Sequence, residues 1–112
     1  MDNYKKLIEK RNGIFEKIGL IKTMKRGTIN EQYLNVPQKN SLPALRGPYY
    51  VFSKSSGGKT ISKRIKKKDL ENVKNDIEEY HKFVKLTEEF VQVTEKITEI
   101  VRTSDDKEDK VF

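Results

Sequence analysis

Seven cationic side chains, Lys54, Lys59, Lys63, Arg64, Lys66, Lys67 and Lys68, fall within fifteen residues that contain no Asp or Glu. Their chemistry is neutralisation of closely spaced anionic groups, as on a nucleic-acid backbone. Thr60 and Ser62 lie among them and add hydroxyl hydrogen bonds, and Tyr50, just upstream, offers a ring to stack and a phenol to donate. Strand alternation puts Lys59, Ile61, Lys63 and Ile65 on one face and the wholly polar set Thr60, Ser62, Arg64 and Lys66 on the other. The polar set, with Lys54, Lys67 and Lys68 around it, forms the candidate contact surface. Tyr49 and Tyr50 point to opposite faces, so one packs while the other is free to stack or hydrogen-bond. A plainer role for these lysines is an exposed hairpin edge made basic to prevent edge-to-edge pairing.

Catalytic constellations are missing from the sequence. His81 is the only histidine and lies mid-helix beside Tyr80, a place that suits a solvated or seam-edge residue better than a general base or metal ligand. Acidic pairs such as Glu78/Glu79 and Glu88/Glu89, with Lys82 and Lys85 nearby, follow the spacing of a solvated helix face. Gly57-Gly58-Lys59-Thr60 matches the end of a phosphate-binding loop, but that motif needs an earlier Gly and a following helix, and here a strand follows. No cysteine is present, which excludes disulfides, thiolate metal sites and thiol nucleophiles. No enzymatic role, metal or cofactor is expected.

A turn and two strands must position the basic residues. Gly57-Gly58 supplies the positive-φ freedom of a tight hairpin, and Ser55 and Ser56 extend the turn signal. Tyr49 to Phe52 before it and Thr60, Ile61 and Ile65 after it favour strands. Thr28–Val36 predicts a third strand, while Pro37, Pro43 and Pro48 with Asn40, Ser41 and Gly47 predict an irregular loop over 37–47.

Helices flank this middle region. Tyr4, Leu7, Ile8, Ile14, Phe15, Ile18, Ile21 and Met24 recur at helical spacing, with breaks expected near Gly13 or Gly19 and a stop at Lys25-Arg26-Gly27. Asp69 predicts the start of a long helix, with no Gly or Pro from Leu70 to Arg102, a span of about 50 Å at 1.5 Å per residue. Within it Phe83, Leu86, Phe90, Val93, Ile97 and Ile100 step by three and four, a coiled-coil-like seam. The expected architecture is α+β and mostly helical: an N-terminal helix (1–26), a loop and a basic β-hairpin or three-stranded sheet (27–68), the long helix (69–103) and a polar, frayed tail (104–112), all in a single domain. The first helix is expected to pack on the first part of the long one. That would leave the seam from Phe90 to Ile100 for a second copy, and hence a homodimer.

Charge and hydropathy narrow the class. The 112 residues carry a net charge of +7, distributed as +5 over residues 1–26, +1 over 27–53, +7 over 54–68 and −6 over 69–112. Such asymmetry favours a localised anionic partner over a general solubility role. With 34% hydrophobic and 37% charged residues, the chain predicts an elongated helical architecture with little core. No run is apolar enough to span a membrane or to act as a signal peptide, and the expected compartment is the cytoplasm.

The ordered set Gly27, Gly47-Pro48-Tyr49-Tyr50, Gly58-Lys59-Thr60 with Ser62, and a long helix carrying Tyr80 resembles a family of small, largely uncharacterised prokaryotic proteins often encoded with, or fused to, transposase-like genes. The likeness covers roughly residues 27–95. Many members carry a cysteine cluster before the GPYY element. This chain has VPQKNSLPALR there, so no metal site carries over. The resemblance implies a mobile-element-associated protein that binds DNA. The alternative from another class is a protein-interaction adaptor or inhibitor, whose long helix binds a larger protein such as a transposase or nuclease.

Overall fold

The computed structural model describes residues 2–39 and 41–109. The chain is α+β. Helix α1 (Asp2–Gly19) leads into three strands, β1 (Thr28–Gln38), β2 (Ser41–Ser56) and β3 (Lys59–Ile65), then a short 3-10 turn (Lys67–Asp69) and the long helix α2 (Leu70–Asp109). The sheet is antiparallel in the order β1-β2-β3, so β2 is central. By its contacts the chain divides into a helical unit, up to Lys22 and from His81 on, and a sheet unit, Thr23–Tyr80.

In the helical unit, α1 runs through Gly13 and stops at Gly19, earlier than the Lys25-Arg26-Gly27 stop expected from sequence. The Leu20 amide closes the last turn on the carbonyls of Glu16 and Lys17. Ile14, Leu86, Val93 and Ile97 form the buried cluster, with Leu7, Ile8, Ile18, Ile21 and Phe90 packed around it. Here the structure corrects the sequence reading: α1 takes the second part of the long helix, and the seam is not left over. Leu86, Val93 and Ile97 are only 7%, 4% and 6% exposed within one chain. Phe90 lies beside Phe15, ring centroids 6.5 Å apart, and Phe83 and Ile100 are half-buried. The polar segment expected to fray after residue 103 continues α2 as far as Asp109, and the last residues of that expected tail, 110–112, lie outside the described residues.

In the sheet unit, the β2–β3 hairpin forms as expected. Ser56 pairs with Lys59 across Gly57 (φ 58°) and Gly58 (φ 79°), a two-residue turn that needs positive φ at both positions. The segment 37–47 departs from expectation, because β1 and β2 pair through it as an extended ribbon, Val36 opposite Ala44 and Gln38 opposite Ser41. Two register irregularities, between Gln32 and Leu34 and between Val36 and Gln38, interrupt that pairing. They take up the prolines: Pro48 falls between paired Tyr49 and Arg46, Pro43 between paired Ala44 and Ser41, and Pro37 at the second shift on β1.

Candidate nucleic-acid interface

Residues directly opposite in an antiparallel sheet share a face, so the register sorts every side chain. One face carries Ile29, Tyr50, Phe52, Lys63 and Ile65. This is the covered face. Phe52 and Ile65 line a cleft with Val73 and Asp76 of α2, Arg64 and Lys66 border it at the edge of the sheet, and Val73 and Ile77 are buried. The segment between α1 and β1 lies on the same side: the Lys25 ammonium is 5.4 Å from the Phe52 ring, the Lys25 amide donates to the Asp76 carbonyl at 2.9 Å, and the Thr23 hydroxyl reaches the Asp76 carboxylate at 2.7 Å. Gly27 passes so close that an added Cβ would lie 2.5 Å from the Phe52 ring and 2.6 Å from the Ser53 carbonyl oxygen.

The other face is open. Its cross-strand rows are Thr28–Ser53–Ser62, Asn30–Val51–Arg64, and Gln32–Tyr49, with Lys66 extending the last row through its extended backbone (φ −67°, ψ 142°). Asn30, Gln32, Thr60, Ser62, Arg64 and Lys66 are all exposed. The Arg64 guanidinium carbon sits 3.7 Å over the Tyr49 ring, a diagonal pairing that fixes both side chains. The Ser53 and Ser62 hydroxyls lie 2.9 Å apart and share a hydrogen bond. Glu31 is the only acidic residue between 27 and 68, and it stands on the covered face, where it accepts the Tyr50 hydroxyl at 3.2 Å. Partial burial first, then that hydrogen bond and the Glu31 charge, hold the Tyr50 phenol above its ordinary value of 10.0.

The sequence-predicted contact residues therefore separate. Thr60, Ser62 and Arg64 stand together on the open face, Lys66 continues beyond β3 in extended backbone, and Lys67 and Lys68 follow in the 3-10 turn. Lys54, Lys59 and Lys63 belong to the opposite face, Lys54 and Lys59 near the hairpin tip and Lys63 opposite Phe52. Tyr50 is also on the covered face, its ring 6.0 Å from the Lys74 ammonium, so Tyr49 is the tyrosine beside the arginine. Sequence reasoning passed over Thr28, Asn30 and Gln32. Their signal was the alternation of Thr28, Asn30 and Gln32 with Ile29, which puts three polar side chains on one face of β1.

Among the described residues there is no grouping of His, Asp or Glu suited to a metal ion, and no helix is long and apolar enough to cross a membrane. No protein-family model, curated protein or solved structure matches the chain.

Proposed function

We propose that the protein is a nucleic-acid-binding accessory factor that holds an anionic backbone against the open face of its sheet. One observation carries this reading: a sheet face, exposed at Asn30, Gln32, Thr60, Ser62 and Arg64, that has no carboxylate among its paired residues and is followed directly in the chain by exposed Lys66, Lys67 and Lys68. A basic edge serving only to prevent strand addition would need charge along β3, with no requirement on the polar residues of β1 and β2. Here all three strands contribute polar side chains to one face. The reading places the protein in the cytoplasm with DNA as its partner, and the GPYY and GGKT resemblance adds association with a mobile element.

Fluorescence anisotropy with labelled duplex DNA, single-stranded DNA and RNA, at two salt concentrations, tests it. The expected result is binding that weakens steeply with salt and is lost in the Arg64→Glu/Lys66→Glu variant. No binding at low salt, despite the +7 net charge, would overturn it.

The adaptor reading has one observation in its favour. Val84 and Val91, one heptad apart on α2, are 42% and 53% exposed, outside the buried cluster. A second copy of the chain or a larger protein would cover that strip.

A further inference from the structure

Building on the nucleic-acid reading, we propose that the open sheet face reads base edges in the major groove of duplex DNA, with Asn30, Gln32 and Arg64 as the residues that set sequence preference. The residue types carry the first part of the argument. Asn and Gln make paired hydrogen bonds to the N6/N7 edge of adenine, and Arg does the same to the O6/N7 edge of guanine. Phosphate neutralisation alone needs none of these amides. They arrive from β1, while the charge arrives from β3, and the register places Asn30 in one row with Arg64 and Gln32 in the next.

Dimensions carry the second part. Three strands at about 4.8 Å spacing put the axes of β1 and β3 about 10 Å apart, so side chains from both outer strands can reach base edges together across the major groove of about 12 Å and not across the minor groove of about 6 Å. Asn30 and Gln32 are two residues apart, about 6.6 Å along the strand, close to two base-pair steps of about 3.4 Å each. The central column on this face is Ser53, Val51 and Tyr49: it is short beside Asn30, and at Gln32 it is filled by the Tyr49 ring that carries Arg64.

The same face is poorly suited to other nucleic acids. Single strands are held by bases stacking on successive bare aromatic rings, and here the one aromatic, Tyr49, is already covered by Arg64. Double-stranded RNA closes its major groove to side chains. Stacking uses the flat side of the guanidinium and leaves its N–H edge for a base, so the Tyr49 contact orients Arg64 before DNA arrives.

Selection from a randomised duplex pool, run with the full chain and with Asn30→Ala, Gln32→Ala, Arg64→Lys and Lys67→Ala/Lys68→Ala, tests the assignment. The native protein should enrich a defined motif. Each of the first three variants should relax one part of that motif, losing roughly ten- to hundredfold discrimination there while keeping affinity for unrelated duplex. The double lysine variant should weaken binding to all sequences alike and leave the motif unchanged. All the altered side chains are exposed, and unchanged circular dichroism and melting confirm folding before selection. Salt-sensitive duplex binding with no motif, or a motif the three variants leave intact, overturns base reading while the nucleic-acid role stands. Preference for single strands or for RNA also overturns base reading. Failure to bind any nucleic acid removes both.

Discussion

Equal changes of net charge on the two faces of β3 separate a built interface from a merely basic protein. Arg64→Glu/Lys66→Glu alters the open face at Arg64 and the lysine that follows β3, and Lys59→Glu/Lys63→Glu alters the covered face. Each pair replaces two positive charges with two negative ones, so both bring the net charge from +7 to +3. Long-range attraction to a polyanion falls equally in the two proteins. If about five phosphates are neutralised by the native chain, log K falls against log salt with a slope of about −4.5. Reversal on the open face removes about 0.9 of that slope if only Lys66 meets a phosphate while Arg64 meets a base, and about 1.8 if both meet phosphates. The covered-face variant keeps a slope of about −4.5 because neither residue faces the ligand. Anisotropy titrations across four salt concentrations measure all three slopes. Equal slopes and equal affinity losses in the two variants would refute the assignment of a face, leaving only net charge as the cause of binding.

Gly13 and Gly27 should respond to alanine with opposite signs. An added Cβ at Gly13 meets nothing within 4 Å and sits inside a helix, so stability rises by up to about 1 kcal/mol; at Gly27 it meets the Phe52 ring and a backbone oxygen, so stability falls by about 1–3 kcal/mol, both read by urea denaturation. Leu86→Ala, at a buried cluster position, should cost about 2–3 kcal/mol, the low end of the range for a small core, whereas Val84→Glu/Val91→Glu should leave stability within about 0.5 kcal/mol. Sedimentation equilibrium of the valine variant then checks the exposed strip: a native dimer becoming monomeric assigns the interface there, and an unchanged mass excludes it. Glu31→Gln should lower the Tyr50 ionisation in an NMR titration yet leave it above 10.0, because partial burial, the larger cause, persists.

Local chemistry made much of this fold legible. Gly57-Gly58 between two β-favouring runs has one economical solution, and a run from Leu70 to Arg102 without Gly or Pro, its apolar residues stepping by three and four, has another. The partner of a seam is a different matter. Phe83 to Ile100 announces an apolar stripe but does not say whether α1 or a second chain covers it, and the structure packs its middle, Leu86, Phe90, Val93 and Ile97, with α1. The prolines misled for a physical reason. Pro is excluded from a strand paired on both sides, but β2 pairs with β3 only from Tyr50 to Ser56. Its earlier part has β1 on one edge alone, and the register shifts absorb Pro43 and Pro48, so strand continues where the composition suggested a loop.

The choice between Tyr49 and Tyr50 was likewise out of reach from sequence, because alternation assigns adjacent residues to opposite faces without naming which face is covered. Phe52 settles that question. Its ring lies against Lys25, lines the cleft with Val73 and crowds the backbone of Gly27, which commits Tyr50, two residues away, to the same side. Stability in the sheet unit is thus concentrated on one face, where the apolar side chains and the Asp76 hydrogen bonds are. The opposite face contributes Val51, a serine pair and one cation–π contact. Those small terms place almost no packing constraint on Asn30 or Gln32, and they hold Arg64 through the Tyr49 ring alone. Where packing imposes so little, two amides on β1 and a stacked arginine on β3 are free to be chosen for the proposed ligand without cost to the fold.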